Sequence, residues 1–575
     1  MEALRNLKSV GRRKERELST TEDDSVDIGT SPWYNKDLVP AGPHLRNWRM
    51  HTYVFFWWAS SFNQAEWSAG ASLIAVGLTF RQSMASVCVG AILAASSMVL
   101  AARPGAKLHI GYPPLLRSSF GMRGSKIFVA LRGAVAIIWF GVQSYFASSL
   151  LAVALRCVFG HKWTDIPNHL PASAGIDTQG LVAFLLIWLL QGPLMLIHPS
   201  RIHWLWPLKG VIIPPAVIGF FIWAVTRAGK HGANYSTFNT NLLVEPAHGG
   251  ALGWAILNGI NTVMGTMSPM ILNQPDIARY ARNPRDAGWP QGISMLVIKT
   301  FIFFFSISTA CALQVLFDTT YWNMWDQLNA VLDTHWNATA RTGCFFVAIS
   351  MCLGTVGTNI SANSIPFGAD MVGLFPKYLT IVRGQIIVWI CGFAIVPWKF
   401  LTSAAKFITF LGSYTVLVGA ILGPLWADYY IIRRGNIHVP SLYDPRPGSL
   451  YWFFGGFNWR AIIAWCAGTG LTISGIAAGY KPGSVSEAAV NLYGTGWILS
   501  VATSAVVYTV LSLVFPIPIT PASRPEVQGY EWLTNKEGFF DEDLPWDVTA
   551  DDWEKPETRT ASVSEESDSI EKEKE

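Results

Sequence analysis

The chain has 575 residues, of which 51% are hydrophobic and only 14% charged, and its formal net charge is +4. Soluble domains carry roughly 25% charged residues, so this balance and a mean hydropathy of +0.31 exclude an ordinary soluble protein and point to one that crosses a membrane repeatedly. The small positive charge gives no case for nucleic-acid binding.

Residues 1–45 are polar and charged and read as a mostly disordered cytoplasmic tail without a cleavable signal, so the first span must direct insertion. A spanning helix needs about 20 apolar residues. Candidate spans cover 52–78, 85–102, 129–155, 181–197, 208–225, 252–272, 293–316, 345–372, 379–397, 407–426, 461–478 and 497–515. Residues 46–516 are therefore expected to form an all-α integral membrane domain of about twelve transmembrane helices. Residues 517–575 read as a second, largely disordered cytoplasmic tail, ending in serines 562, 564 and 567 and a Lys/Glu run. Two readings of the tails stand: recognition by trafficking or ubiquitin machinery, and simple solvation. Basic residues concentrate in alternate loops, at Arg103, Lys107, Arg117, Arg123 and Lys126, then Arg201, Arg279, Arg282, Arg285 and Lys377, and finally Arg433, Arg434, Arg446 and Arg460. With Arg12, Arg13 and Lys14 they fit a cytoplasmic N-terminus and, for an even span count, a cytoplasmic C-terminus. Arg227, Lys230, Lys399 and Lys406 fall on the other side, with the sequons beginning at Asn234 and Asn337.

Within the spans, polar interruptions carry the functional signal. The first is interrupted by Ser60-Ser61-Phe62-Asn63-Gln64 with Glu66 close behind, and the sixth by Asn261-Thr262 and Gly265-Thr266-Met267-Ser268-Pro269. Matching breaks in two halves point to a secondary transporter built from inverted repeats; close packing by small residues is the competing reading. Repeat one would cover about 50–228, repeat two about 250–427, and two added helices about 457–516. In the third span Trp139 and Gln143 stand one turn apart, an aromatic plate and an amide suited to a flat, hydrogen-bonding heterocycle. In the eighth, residues 354–363 are small or amide-bearing, and Asn359 and Asn363 share a helix face. Amides are costly in lipid unless they meet a partner, a cavity or a ligand; an interhelical hydrogen bond remains open for each. Glu66 and Asp276 are lesser candidates for ion coupling; the alternatives are that Asp276 pairs with Arg279 or Arg282 and that Glu66 faces an aqueous vestibule.

Enzymatic chemistry finds no support. His51, His109, His198 and His203 are scattered at span ends or in loops, and the seven cysteines show no metal-ligand spacing. No catalytic residue, metal or cofactor is expected.

The ordered motifs Asn35-Lys36-Asp37-Leu38, Ser61-Phe62-Asn63 with Trp67, Arg117-Ser118-Ser119-Phe120-Gly121, Ile138-Trp139-Phe140-Gly141-Val142-Gln143, Asn273-Gln274-Pro275-Asp276 with Arg279-Tyr280-Ala281, the Gly357–Asn363 stretch, and Asp428-Tyr429-Tyr430 with Arg433-Arg434-Gly435 span residues 32–516. In that order they resemble the nucleobase–cation symport family, its fungal branch of uracil, uridine, allantoin and thiamine permeases. The resemblance implies a LeuT-like fold of five plus five helices with two C-terminal helices, alternating access, and import across the plasma membrane. It implies a substrate site of Trp139, Gln143, Asn363 and Asn359, with Asn63 at the first-span break. Met267 stands near the point where hydantoin carriers of the family have a second aromatic. For ion coupling, the family's two span-eight hydroxyl positions read Gly357 and Thr358, so one is missing. Lys209, near the start of span five, matches a lysine that stands in the sodium position of proton-coupled relatives of this fold, which favours a proton over sodium. A buried ammonium is costly to keep charged and so can release its proton; the alternative is a lysine that snorkels to the interface. Leu411, a turn before Tyr414, matches the outer-gate leucine. Arg132, two turns from Trp139, either gates the inner pathway or forms a structural salt bridge. The expected cargo is a small heterocycle, either a nucleobase such as uracil or allantoin or a nucleoside. A vitamin carrier for thiamine or nicotinamide riboside is the alternative, and a channel or transceptor a remote one.

Overall fold

The computed structural model describes residues 32–35, 37–197, 205–245, 248–399, 401–522 and 526–533. Arg12, Arg13, Lys14, Lys36, His198, Arg201, His203 and the tail serines lie outside the described residues. The first span is two short helices, α1 (Met50–Ser61) and α2 (Gln64–Ala75), separated at Phe62 and Asn63. Asn63 makes the break: its backbone is extended (φ −149°, ψ 163°), and its Oδ1 accepts from the amides of Ala65 (2.9 Å) and Glu66 (3.2 Å). It is an N-cap built into the middle of an apolar span.

Three helices follow: α3 (Phe80–Leu108), opened by a Thr79–Gln82 capping box; α4 (Tyr112–Phe120), with prolines in its first turn; and α5 (Gly124–Phe159). Next come α6 (Thr178–Met195), α7 (Leu205–Lys230), α8 (Gly249–Leu272), the short α9 (Gln274–Ala278), α10 (Trp289–Phe317) and α11 (Met324–Thr334). The eighth span is α12 (Ala338–Asn359), a wide π-helical turn over Ile360–Ser364, and α13 (Ile365–Leu374). The rest is α14 (Ile381–Ala394), α15 (Ala404–Trp426), α16 (Trp459–Gly470), α17 (Ile476–Tyr480) and α18 (Gly496–Val514). Each expected span coincides with a helix or a broken helix. Among the described residues eight helices are long and apolar enough to cross a membrane, nine if the bent pair around α16 counts as one. The others are the broken α1–α2, the polar-interrupted α8 and the 14-residue α14.

The sixth span departs from expectation, because α8 runs unbroken through Gly265–Pro269 to Leu272. A proline cannot donate to the carbonyl four residues back, which here belongs to Gly265. The Tyr414 hydroxyl on α15 donates to that oxygen instead, so the helix continues. The chain turns only at Asn273.

Buried polar ties fix the helix ends. Arg117 donates to Leu442 O (2.8 Å) and Trp33 O (2.9 Å), while Arg433 pairs with Asp428, which also accepts from Tyr508. His109, in the turn after α3, contacts Arg279 O through Nδ1 (3.0 Å); burial and nearby Arg46 push its imidazole down to about 4, so it is an uncharged tie. Part of the segment read as solvating tail is packed: Glu531 accepts from Arg103 (2.7 Å) and Lys107 (3.2 Å), and Leu533 is buried. A carboxylate between two basic side chains holds it there. Asn234 and Asn337 cap the helical turns that follow them.

The α13 and α14 backbones touch, and a Cβ on Gly384 would lie 2.6 Å from Gly368 Cα. Glycines permit such approach between membrane helices. Gly384→Val is therefore expected to destabilise the protein by about 1–3 kcal/mol, seen as a lower unfolding temperature of the detergent-solubilised full chain. An unchanged transition would show that this crossing is not tight.

Candidate functional site

The break between α1 and α2 opens onto a buried cavity. It is lined by Ser60, Ser61, Asn63 and Glu66 from the first span, Trp139 and Gln143 from α5, Thr266, Met267 and Met270 from α8, and Thr358 and Asn363 from the eighth span. Trp139 is 5% exposed, and Gln143 and Asn363 are each 4% exposed. Among the described residues, Trp139 Nε1 and Gln143 Oε1 have no hydrogen-bond partner. A buried polar atom left unpaired costs about 1–3 kcal/mol, and a donor and an acceptor on the wall of one cavity are what a polar ligand would satisfy.

Asn363 sits in the π-helical turn, a feature that often marks functional positions. Its orientation follows from a backbone group. Asn359 Nδ2 donates to Phe140 O (3.1 Å), Ser144 Oγ (3.2 Å) and Gln191 Oε1 (2.9 Å), so Asn359 Oδ1 must face the other way. There it accepts from Asn363 Nδ2 (2.9 Å), which leaves Asn363 Oδ1 as an acceptor toward the cavity. The expectation that Asn359 itself contacts the ligand is corrected: it is wholly buried behind the wall and positions Asn363. Asn63 is on the wall, but its atoms are used by the break, with Nδ2 donating to Ser60 O (2.9 Å).

Two buried lysines flank the cavity. Lys209 is fully buried and donates to Thr358 Oγ1 (2.8 Å), which donates to Ser60 O (3.2 Å). It does not snorkel. The missing hydroxyl at Gly357 has a physical reason, since a Cβ there would stand 2.5 Å from Lys209 Cδ. Lys299 on α10, absent from the sequence expectations, donates to Glu66 Oε2 (2.7 Å) and Thr266 Oγ1 (2.7 Å). A lone lysine inside an otherwise apolar span was its signal.

Arg132 lies at the α9 end of α8, where it also donates to Leu272 O (3.3 Å). Its guanidinium bonds both Asp370 oxygens, Asp276 Oδ2 (2.8 Å) and Asn273 Oδ1 (3.1 Å), and lies 3.9 Å from the Tyr112 ring centre. Asp276 thus pairs with Arg132 and not with Arg279 or Arg282; Arg279 is used by Asp37 O and the Tyr280 hydroxyl. Leu411 does not line the cavity. It packs against Gly265 and is fully buried away from the cavity, whereas its neighbours Phe410 and Tyr414 meet the Trp139 ring at 5.3 and 5.8 Å.

A family of permeases for cytosine and purines, uracil, thiamine and allantoin matches residues 39–500. The chain belongs to this family. The allantoin permease of Saccharomyces cerevisiae is 32% identical over 522 residues, covering 90% of this permease and 80% of that relative. The uracil permease of the same yeast is 32% identical over 504 residues, covering 87% and 79%. Among solved structures, Mhp1, a nucleobase–cation symport-1 family transporter in a closed conformation with bromovinylhydantoin bound, aligns with a TM-score of 0.65 at 17% identity, over 87% of this permease and 99% of that chain. At that identity the likeness shows the fold, the expected LeuT-like one. These relatives are transporters and not enzymes.

Removing Asn359 would free the Asn363 amide and leave Gln191 Oε1 only its longer bond from Ser144 Oγ (3.4 Å). Asn359→Leu is expected to lower stability by about 1–3 kcal/mol, measured by thermal unfolding of the purified permease. Full retention of stability would mean the amide relay is not held.

Proposed function

We propose that the permease is a secondary active transporter of the plasma membrane, with both tails cytoplasmic, that imports a small planar heterocycle by proton symport through alternating access. The cargo is a nucleobase such as uracil or allantoin, or a nucleoside. One observation carries this reading: Trp139, Gln143 and Asn363 meet on one buried cavity that holds unsatisfied polar atoms. The indole offers a face for stacking, and the two amides read donor and acceptor groups on the ring edge. The names of the two yeast relatives support cargo of this class.

The proton assignment rests on Lys209. Thr358 Oγ1 and Ser60 O are oxygen ligands of the kind a hard cation seeks, but Thr358 Oγ1 already accepts from the Lys209 ammonium and donates its own proton to Ser60 O. Protonated, the amine ties α7 to α12 and, through Thr358, to the first-span break that lines the cavity. Deprotonated, it loses that charge-assisted bond and loosens the same three elements. Proton occupancy and cavity shape are thereby linked. Arg132 serves as the inner gate, since separating Asp276 from it while Asp370 stays bound parts α9 from α5 and α13.

Uptake of labelled uracil and allantoin in a transporter-deficient yeast host, at two pH values with and without sodium, tests this reading. Gln143→Ala and Asn363→Ala are expected to abolish uptake while the permease still reaches the surface; near-normal affinity in either variant removes that residue from the site.

Lys209→Ala is expected to flatten the dependence of uptake on external pH. A preserved pH slope in that variant, or uptake that requires sodium in the parent, would overturn proton symport through Lys209.

A further inference from the structure

Glu66 is 3% exposed and lies on the cavity wall, yet only one of its oxygens is engaged. Oε2 accepts from Lys299 Nζ at 2.7 Å and from Thr266 Oγ1 at 3.0 Å. Oε1 has no partner among the described residues. Lys299 is fully buried, packs over the Phe303 ring at 5.0 Å and does not line the cavity. The ion pair is thus one-faced: the cavity meets the carboxylate, while the ammonium stands behind it. Thr266, on the cavity wall between them, bonds to both.

This arrangement has a definite chemical preference. A carboxylate oxygen is a stronger acceptor than an amide oxygen, and its bond to an N–H is charge-assisted. The pair carries no net charge, however. A cationic ligand on the carboxylate side keeps only the part of the Glu66 attraction that the more distant Lys299 does not cancel, too little to offset the loss of its own hydration in a low-dielectric cavity. A neutral ring with N–H groups takes the bond without that loss. Asn363 Oδ1 and the unpaired Gln143 Oε1 add two further acceptors to the same wall.

We propose that the Glu66–Lys299 pair is a specificity determinant that accepts an N–H of an uncharged ureido or imide edge and rejects cationic heterocycles. The proposal rests on the reading of this cavity as the substrate site. Lys299 acts through Glu66 as a positioning and charge-balancing residue, and Glu66 touches the ligand.

Binding to the purified full-length permease in lipid nanodiscs, with uracil and allantoin as neutral probes and thiamine as the cationic probe, tests it. The parent is expected to bind a neutral probe and not thiamine. Lys299→Met is expected to weaken the neutral probe and gain thiamine, a shift in selectivity of about ten-fold or more. The double variant Glu66→Gln with Lys299→Met leaves no unpaired charge, so it folds even where the single variant does not. It is expected to bind the neutral probe about ten-fold more weakly than the parent and to lose the thiamine gain. Thiamine binding by the parent, neutral binding lost in Lys299→Met with no gain of thiamine, or undiminished neutral binding in the double variant would each overturn the assignment. Gln143→Ala separates the two levels: if it leaves neutral binding intact, the parent reading of the cavity fails, whereas if it abolishes binding and selectivity ignores Lys299, only the ion-pair proposal fails.

Discussion

A helix that stops inside a membrane must find partners for the backbone groups it frees, and that demand organises this permease. At the α1–α2 break, Ser60 O accepts from Asn63 Nδ2 and Thr358 Oγ1, and Gln64 N donates to Thr355 Oγ1 (3.2 Å). Lipid offers no substitute for these bonds. The stretch Gly354-Thr355-Val356-Gly357-Thr358 reads as the answer. Its threonines supply the oxygens, and its glycines supply the space. A Cβ on Gly354 would stand 2.6 Å from Phe62 O, as one on Gly357 would crowd Lys209. Two glycines and two threonines, each pair three apart, dock one broken helix and one lysine against α12.

Three buried cationic groups surround the cavity, and their partners differ. Arg132 faces two carboxylates, Lys299 faces one, and among the described residues Lys209 bonds the Thr358 hydroxyl and pairs with no carboxylate. Buried ion pairs are weak sources of net stability because desolvation offsets most of their attraction. Their value here lies in registration: each joins helices that are distant in sequence, and each would be costly to leave half-broken. The lysine without a carboxylate is the one to which the proposed proton coupling is assigned, and the pair of Lys299 with Glu66 carries no net charge.

Composition and polar interruptions made the membrane fold, Trp139, Gln143 and Asn363 legible, because each is a local departure from an apolar run. The remaining features were hidden for geometric reasons. Lys299 meets Glu66 across 233 residues and Asn359 meets Gln191 across 168, and no periodicity reports which helices become neighbours. Leu411 and Phe410 differ by one position, about 100° around a helix, and which of the two meets the Trp139 ring is set by a phase that the sequence does not report. The sixth-span break was expected from Asn261-Thr262 and the stretch Gly265-Thr266-Met267-Ser268-Pro269, whereas the repair at Gly265 comes from a tyrosine on another helix.

That repair has a mechanical consequence. Gly265 O has lost its own helix's donor to Pro269, and the phenol of Tyr414 is a substitute carried by α15. If α15 swings outward from α8, the oxygen is stripped bare in a medium of low polarity, unless water arrives as the phenol departs. Wetting of this crevice and tilting of α15 are therefore coupled, because a dry excursion carries the cost of the bared carbonyl, about 1–3 kcal/mol, which entering water removes.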